Sequence, residues 1–234
     1  MLRRLVPLLL LAAAFAGCGG EDGTAGGTAT VWVTRDQGAR TLVAAQVDSG
    51  QTLLRALRSV ADVRTRYGGR YVQAIEGVEG DLAAQRDWFW FVNGIEGDRS
   101  AVEMRLRPGD VAWWDFRGWA GAAERRPVVV GAFPEPFLHG WNGHVRPAAV
   151  RYAPGLAAAA KRIAARIGAD SVEPEGAPVP AEANLFLVVG GRPRFVAAER
   201  RSGSGAGDPV VFTFAGDVDA LLDRGLGRRR YSLP

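Results

Sequence analysis

One cysteine, one lysine and two histidines are all that 234 residues contain of these types. Cys18 has no partner cysteine, so an internal disulfide and a cysteine-based metal site are both excluded. His139 and His144 lie five apart in a glycine-rich stretch that will not form a helix. A metal site would need a third ligand nearby, and the expectation is two loop histidines in ordinary solvent contact and no metal centre. There is no GxSxG turn and no lysine after a phosphate-cradling glycine loop. The carboxylate pairs Glu76 with Glu79 and Asp217 with Asp219 fall at turns, where solvated turn residues or helix caps explain them. No catalytic residue is therefore expected, and the chain is read as a non-enzyme. Lys161 is the only lysine, and the arginines are scattered rather than clustered. The formal charge of +4 falls to +2 without Arg3 and Arg4, too small to argue for a nucleic-acid partner.

Apolar runs are also short. Leu5 to Phe15 is the longest at the N-terminus, about half of the ~20 residues a spanning helix requires. It follows the basic Met1-Leu-Arg-Arg and precedes Ala16-Gly17-Cys18. That order of a positive segment, an apolar segment and small residues is a signal-peptide layout. Phe15-Ala16-Gly17-Cys18 resembles the bacterial lipobox, with Phe15 where Leu is usual. The resemblance implies cleavage before Cys18, diacylation of its thiol and acylation of its new amino group. Each buried methylene contributes ~0.8 kcal/mol, so two or three acyl chains hold a protein firmly. The expected location is the extracytoplasmic face of the cell membrane, with the membrane lipid as anchor.

Patterning divides the rest. Residues 1–17 are read as the signal peptide and 18–29, rich in Gly, Asp, Glu and Thr, as a flexible tether. Residues 30–120 are read as one domain and 127–234 as a small α+β module, giving an α+β fold class overall. Thr30–Thr34 and Thr41–Val47 alternate as two strands of a hairpin. Thr52 caps a helix expected over Leu53–Val63, whose Leu53, Leu54, Leu57, Val60 and Ala61 share one face. Tyr71–Ile75, Trp88–Val92 and Val111–Phe116 are further strands, and Asn93-Gly94 is a hairpin turn because both residues accept positive φ. One helix across a mixed sheet is a β-grasp-like layout. In the second half, Val128–Phe133 is expected as a buried strand and Gly155–Ile167 as an amphipathic helix. Asn184–Val189 with Arg194–Ala198 is expected as a hairpin around Gly190-Gly191, Val210–Phe214 as a strand, and Val218–Leu222 as a short helix.

Several of these motifs carry a family resemblance. Gly50-Gln51-Thr52-Leu53-Leu54-Arg55-Ala56-Leu57, the Gly77 turn after a Tyr-Val strand, Trp88 to Gly94, and Pro108-Gly109-Asp110-Val111 with Trp113 resemble the transcobalamin-like C-terminal domain, DUF4430. The resemblance covers roughly Thr30 to Trp119. It implies a β-grasp-like domain on an exported, anchored protein that works with a vitamin transporter. The implied ligand is a corrinoid such as cobalamin, bound as cargo, with no resident cofactor.

The aromatic strand supplies the candidate site. Trp88 and Trp90 fall on one face, Phe89 and Phe91 on the other. Asn93, Trp113, Trp114 and Trp119 are expected close by. One face packs on the helix. The other either forms a second core against the C-terminal module or holds a flat, partly apolar ligand by stacking. Two functions follow: a lipoprotein that holds a small molecule for a membrane transporter, or a non-catalytic envelope module that docks on a protein partner.

Overall fold

The computed structural model describes residues 26–120, 128–201 and 205–231. The signal-peptide and lipidation readings, Cys18 included, fall outside the described residues, as does most of the tether. No helix among the described residues is long and apolar enough to cross a membrane.

Two five-stranded sheets organise the chain, and the α+β class holds. In the first sheet, β1 (Thr28–Arg35) pairs with β2 (Arg40–Asp48) as an antiparallel hairpin. β1 also lies parallel to β8 (Val111–Gly118). Outside β8 come β6 (Arg86–Val92) and the short β7 (Ile95–Glu96), giving the order β2-β1-β8-β6-β7. Asn93 and Gly94 join β6 to β7 at φ of 53° and 76°, the left-handed pair expected of them.

Thr52 caps α1, accepting from Arg55 N–H, but α1 runs only from Leu53 to Arg58. The expected extension to Val63 is corrected. The Ser59 hydroxyl donates to the Ala56 carbonyl, and Val63–Arg66 becomes β3. Its Val-Arg-Thr-Arg alternation suits a strand with one face half-buried. β3, β4 (Tyr71–Ile75) and β5 (Val78–Glu79) form a separate three-stranded sheet. Leu53 and Leu57 of α1 are fully buried with Val31, Val33, Trp88, Trp114 and Phe116 in the first core.

The second sheet has the order β10-β9-β11-β13-β12. β9 (Ala148–Tyr152), α2 (Ala157–Ile167) and β10 (Ser171–Pro174) form a crossover between parallel neighbours. β11 (Asn184–Val188) lies parallel to β9 and to β13 (Val210–Ala215). The hairpin expected around Gly190-Gly191 does not form. β13 inserts between β11 and β12 (Arg194–Glu199), and β12 pairs antiparallel with β13 instead. The insertion gives β11 two neighbours and buries Phe186 with Phe212 and Phe214. Val128–Phe133 is likewise not a strand: it makes one bridge at Val128 and then a 3₁₀ turn over Val130–Ala132. α3 (Val218–Leu222) follows, capped by Asp217, which accepts from the N–H groups of Asp219 and Ala220. The cap explains the Asp217–Asp219 pair without chemistry.

A third core joins the sheets. Trp32, Phe91 and Trp113 on one face of the first sheet pack against Val129, Ala132 and Tyr231. The C-terminal segment reaches this seam as a strap: Arg229 N–H donates to the Gly131 carbonyl. Gly38 is required where the strap crosses the β1–β2 turn. Its φ is +79°, and a Cβ there would sit 1.5 Å from the Arg229 carbonyl oxygen. Gly50 has a similar φ of +83° but open space around it. We expect Gly50→Ala to cost about 1 kcal/mol, the left-handed penalty alone. Gly38→Ala should cost at least about 1 kcal/mol more, because backbone must move. Urea denaturation of both variants measures the difference.

Candidate functional site

The candidate aromatic residues are not gathered on one open surface. Trp88, Trp113 and Trp114 are buried, and Trp90 and Trp119 are half-buried. Trp88 and Trp114 belong to the core under α1; Trp88 Nε1 donates to the Val78 carbonyl. Trp90 is covered by Trp141, which stacks on it with centroids 6.2 Å apart and planes 11° from parallel. Trp113 lies on the opposite face, edge-on to Trp32 at 5.9 Å and to Tyr231 at 5.4 Å. Of the two arrangements considered for the aromatic strand, the two-sided core is the one observed. Changing Trp90 or Trp114 would therefore perturb packing rather than remove an exposed anchor.

Asn93 is fully buried and fully engaged. Its Nδ2 donates to Asp110 Oδ1 and to the Gly140 carbonyl, and its Oδ1 accepts from Val111 N–H. It ties the β6–β7 turn to β8 and to the loop of the second half. Trp119 donates its backbone N–H to the Gln85 carbonyl, at the far end of β8 from Asn93.

Among the described residues four carboxylates are buried, Glu96, Asp110, Asp115 and Glu135; Glu96 pairs with the buried Arg117 at 3.9 Å, and the other three form two centres. Asp115 on β8 is completely buried, and its two oxygens accept four hydrogen bonds. Oδ1 takes the Thr34 hydroxyl at 2.5 Å and Gly38 N–H at 3.0 Å; Oδ2 takes Gln37 N–H at 3.0 Å and the Tyr231 hydroxyl at 2.7 Å. Trp113 Nε1 donates to Thr34 Oγ1, which fixes the direction of the Thr34 proton. Burial pushes the Asp115 carboxyl up and these donors pull it down; burial outweighs them. Burial beside that carboxylate also raises the Tyr231 phenol, which stays protonated and donating. This network fastens the strap to the sheet. Its one sequence signal is an aspartate inside Trp113-Trp114-Asp115-Phe116, since a charge in a buried strand needs partners.

The second centre joins Glu135, His139 and Asp110. Glu135 accepts His139 N–H at 3.0 Å, and its other oxygen lies 2.6 Å from His139 Nδ1. Asp110 accepts from Asn93 and from Arg107 N–H. Burial raises both carboxyls above their ordinary range, against His139 for Glu135 and mainly against Arg107 N–H and Asn93 for Asp110. Carboxyls raised in the folded state bind protons more tightly than the unfolded chain does. Their stabilising effect is complete below about pH 4 and is lost as pH rises through the raised values. We therefore expect the urea midpoint to fall as pH rises above about 4, and the slope to flatten in Glu135→Gln and Asp110→Asn. Among the described residues, no group of three or more His, Cys, Asp or Glu is placed to hold a metal ion.

Beside the seam, a cleft of about 360 Å³ opens between the first sheet and the α2 and α3 side of the second half. That is at the small end of the range for small-molecule pockets. One wall is Thr30 and Trp32 of β1 with Val111 of β8; Phe133 and Pro134 form another side. Leu221 and Leu222 of α3, Leu226, and the arginines Arg166, Arg224 and Arg228 close it. The guanidinium carbon of Arg228 lies 5.6 Å from the Trp32 ring centroid, and that of Arg229 at 5.7 Å. The cleft draws on residues from both halves, so spacing within either half could not disclose it. Trp32, a lone tryptophan on an alternating strand, was its only local signal.

A second surface depression sets two exposed apolar side chains among the charged Arg66, Glu79, Asp81 and Asp87. Tyr67 and Leu82 are 78% and 73% exposed and line a shallow depression with Tyr71, whose hydroxyl donates to Asp87 Oδ2 at 2.6 Å.

Comparison with known proteins places one segment. Residues 50–118 match DUF4430, a domain of unknown function. The match runs from the approach to α1 to the end of β8, inside the stretch whose motifs carried the resemblance. Everything after Gly118, the cleft's α2, α3 and strap residues included, lies outside it. Two solved structures are similar to part of the chain. One is a candidate metal-binding protein from Ruminococcus gnavus ATCC 29149, at 18% identity over 40% of this chain and 98% of that one, with a TM-score of 0.33. The other is haptocorrin in complex with Cbi, at 15% identity over 39% of this chain, with a TM-score of 0.33. The chain spans a quarter of haptocorrin's length. No curated protein matches the sequence.

Proposed function

We propose that this protein is a lipid-anchored, extracytoplasmic binding protein that holds a small molecule in the cleft between its first sheet and the α2 and α3 side of its second half, and presents it to a membrane transporter component. The cleft carries the reading: the largely buried Trp32, with Phe133 and Leu222, gives it apolar walls, and exposed arginines stand around it. The N-terminal sequence supports the anchor, and the DUF4430 match supports the resemblance from which the transporter partner was inferred. The order β2-β1-β8-β6-β7, with β1 parallel to β8 and α1 packed on one face, supports a β-grasp-like reading of the first sheet. No bond-making role is assigned to the buried carboxylates, which are committed to structural hydrogen bonds.

Binding is tested by calorimetric titration of the protein from Gly19 onward with a panel of small organic solutes. Saturable one-site heat that disappears in Trp32→Ala is expected. Binding that survives Trp32→Ala unchanged places the ligand elsewhere and overturns the cleft. Cobinamide tests the corrinoid version separately; it exceeds the cleft in size, and saturable heat with it requires that much of the ring lie outside. Anchoring is tested by Cys18→Ala, which is expected to move the protein out of the membrane fraction almost completely, since a signal peptide alone leaves no lipid. Retention of the variant in that fraction contradicts the anchor.

A second reading has its own observation. The exposed Tyr67 and Leu82 suit an envelope interaction module with no small-molecule ligand. In that case Tyr67→Ser with Leu82→Ser removes a captured partner, and Trp32→Ala does not.

A further inference from the structure

We infer that the cleft selects a small organic anion, one phosphate or carboxylate group on a compact apolar body; this rests on the reading of the cleft as the ligand site. Three cations face it, from three separate places in the chain: Arg166 in the last turn of α2, Arg224 just after α3, and Arg228 on the strap. Two carboxylates line it as well, and both are engaged elsewhere. Glu135 is buried against His139, and Asp223 pairs with Arg162 at 3.3 Å. Arg224 is also occupied, by Asp217 at 2.5 Å. Among the described residues, Arg166 and Arg228 have no carboxylate partner, and Arg228 is steered toward the cleft by the Trp32 ring.

An arginine pair beside an indole is suited to an anion. The guanidinium fork matches phosphate and carboxylate oxygens two at a time, and it gives up its hydration more easily than an ammonium does. The walls strengthen the interaction. Trp32, Phe133, Leu222 and Leu226 displace water from one side, which lowers the local dielectric around the cations. Thr30 completes the polar side. Its hydroxyl oxygen accepts from Gln46 Nε2 at 2.8 Å, which leaves its proton free to donate. The same walls limit the body of the ligand. Trp32 and Leu221 are buried while Arg166, Arg224 and Arg228 are exposed, so the anionic group sits outward and the apolar part inward. The feature is local, since the formal charge of the chain beyond Arg4 is only +2.

The test uses the mature chain from Cys18 onward in detergent micelles and three probes: phenyl phosphate, its neutral counterpart phenol, and dihexanoyl-phosphatidylglycerol below its micelle concentration. Phenyl phosphate should bind at least about tenfold more tightly than phenol. The double variant Arg166→Gln with Arg228→Gln should lose that advantage while binding phenol as before. Both side chains are exposed, so its urea midpoint should match that of the parent. If phosphatidylglycerol binds more tightly than phenyl phosphate, the anion comes from a lipid headgroup; if less tightly, from a soluble molecule. Either result supports the anion class. Equal binding of phenol and phenyl phosphate, or an undiminished advantage in the double variant, overturns the anion class while leaving the cleft as a binding site. No binding by any probe overturns the cleft reading as well.

Discussion

Replacing Asp115 by Ala is expected to cost about 3–5 kcal/mol of stability, read as a shift of the urea midpoint followed by tryptophan fluorescence. The size follows from what is left behind. Two backbone N–H groups, of Gln37 and Gly38, and two hydroxyls, of Thr34 and Tyr231, converge on this carboxylate in a site closed to water. The hydroxyls can turn toward other acceptors, but the N–H groups cannot, and a buried unpaired donor costs about 1–3 kcal/mol. Asp115→Asn keeps one acceptor oxygen but turns an N–H₂ group toward a donor, so about half of the loss is expected. Tyr231→Phe removes only one bond and should cost about 1 kcal/mol. An Asp115→Ala midpoint equal to that of the parent would show that the strap is not held this way. The consequence reaches the cleft, because Arg228 rides on the strap that Tyr231 anchors.

Trp113→Ala should be as damaging, at about 3–5 kcal/mol. Trp113 is fully buried between the sheets, touching Trp32, Phe91 and Tyr231. Its removal leaves a cavity at the seam and takes away the Nε1–H bond to Thr34. It cannot be refilled from the other side: Gly131 lies where a Cβ would be 2.6 Å from the Trp113 ring and 2.6 Å from the Arg230 carbonyl. The variant should also lose binding in the cleft, since Trp32 is one wall of it and leans on Trp113. Stability within about 1 kcal/mol of the parent would mean that the two halves pack independently.

How far the sequence disclosed this arrangement depended on the range of the interaction. Short-range chemistry was legible. Asn93-Gly94 was identified as a turn because both residues tolerate positive φ, and Thr52 as a cap because its hydroxyl can reach Arg55 N–H. α2 is legible as an alanine-rich stretch with Lys161 and arginines on one side; its other side carries the buried Ala160, Ile163, Ala164 and Ile167. Pairing across long separations was not. Nothing in Asn184–Val189 announces that Val210–Ala215 will enter beside it, because an apolar strand with two neighbours has no mark for which neighbour is which. The helix beginning at Leu53 is shorter than its pattern suggests: Val60 and Ala61 continue its apolar face, but Val63 and Thr65 are taken by pairing with β4. The tryptophans were identified as an aromatic concentration, but only tertiary packing decides whether two faces of a strand are both covered. The cleft depended on residues 30 to 228 meeting at one place, and no spacing encodes that.

The placement of the ligand in the seam is tested most directly by the ¹H–¹⁵N spectrum of the mature chain, in which each of the seven tryptophans contributes an indole signal. Saturating phenyl phosphate should shift the Trp32 indole and the Arg228 backbone amide, with the same dissociation constant for both. The signals around Tyr67 and Leu82 should stay in place. Shifts confined to Tyr67, Tyr71 and Leu82, or a Trp32 indole unmoved at saturation, would contradict a binding site in the cleft.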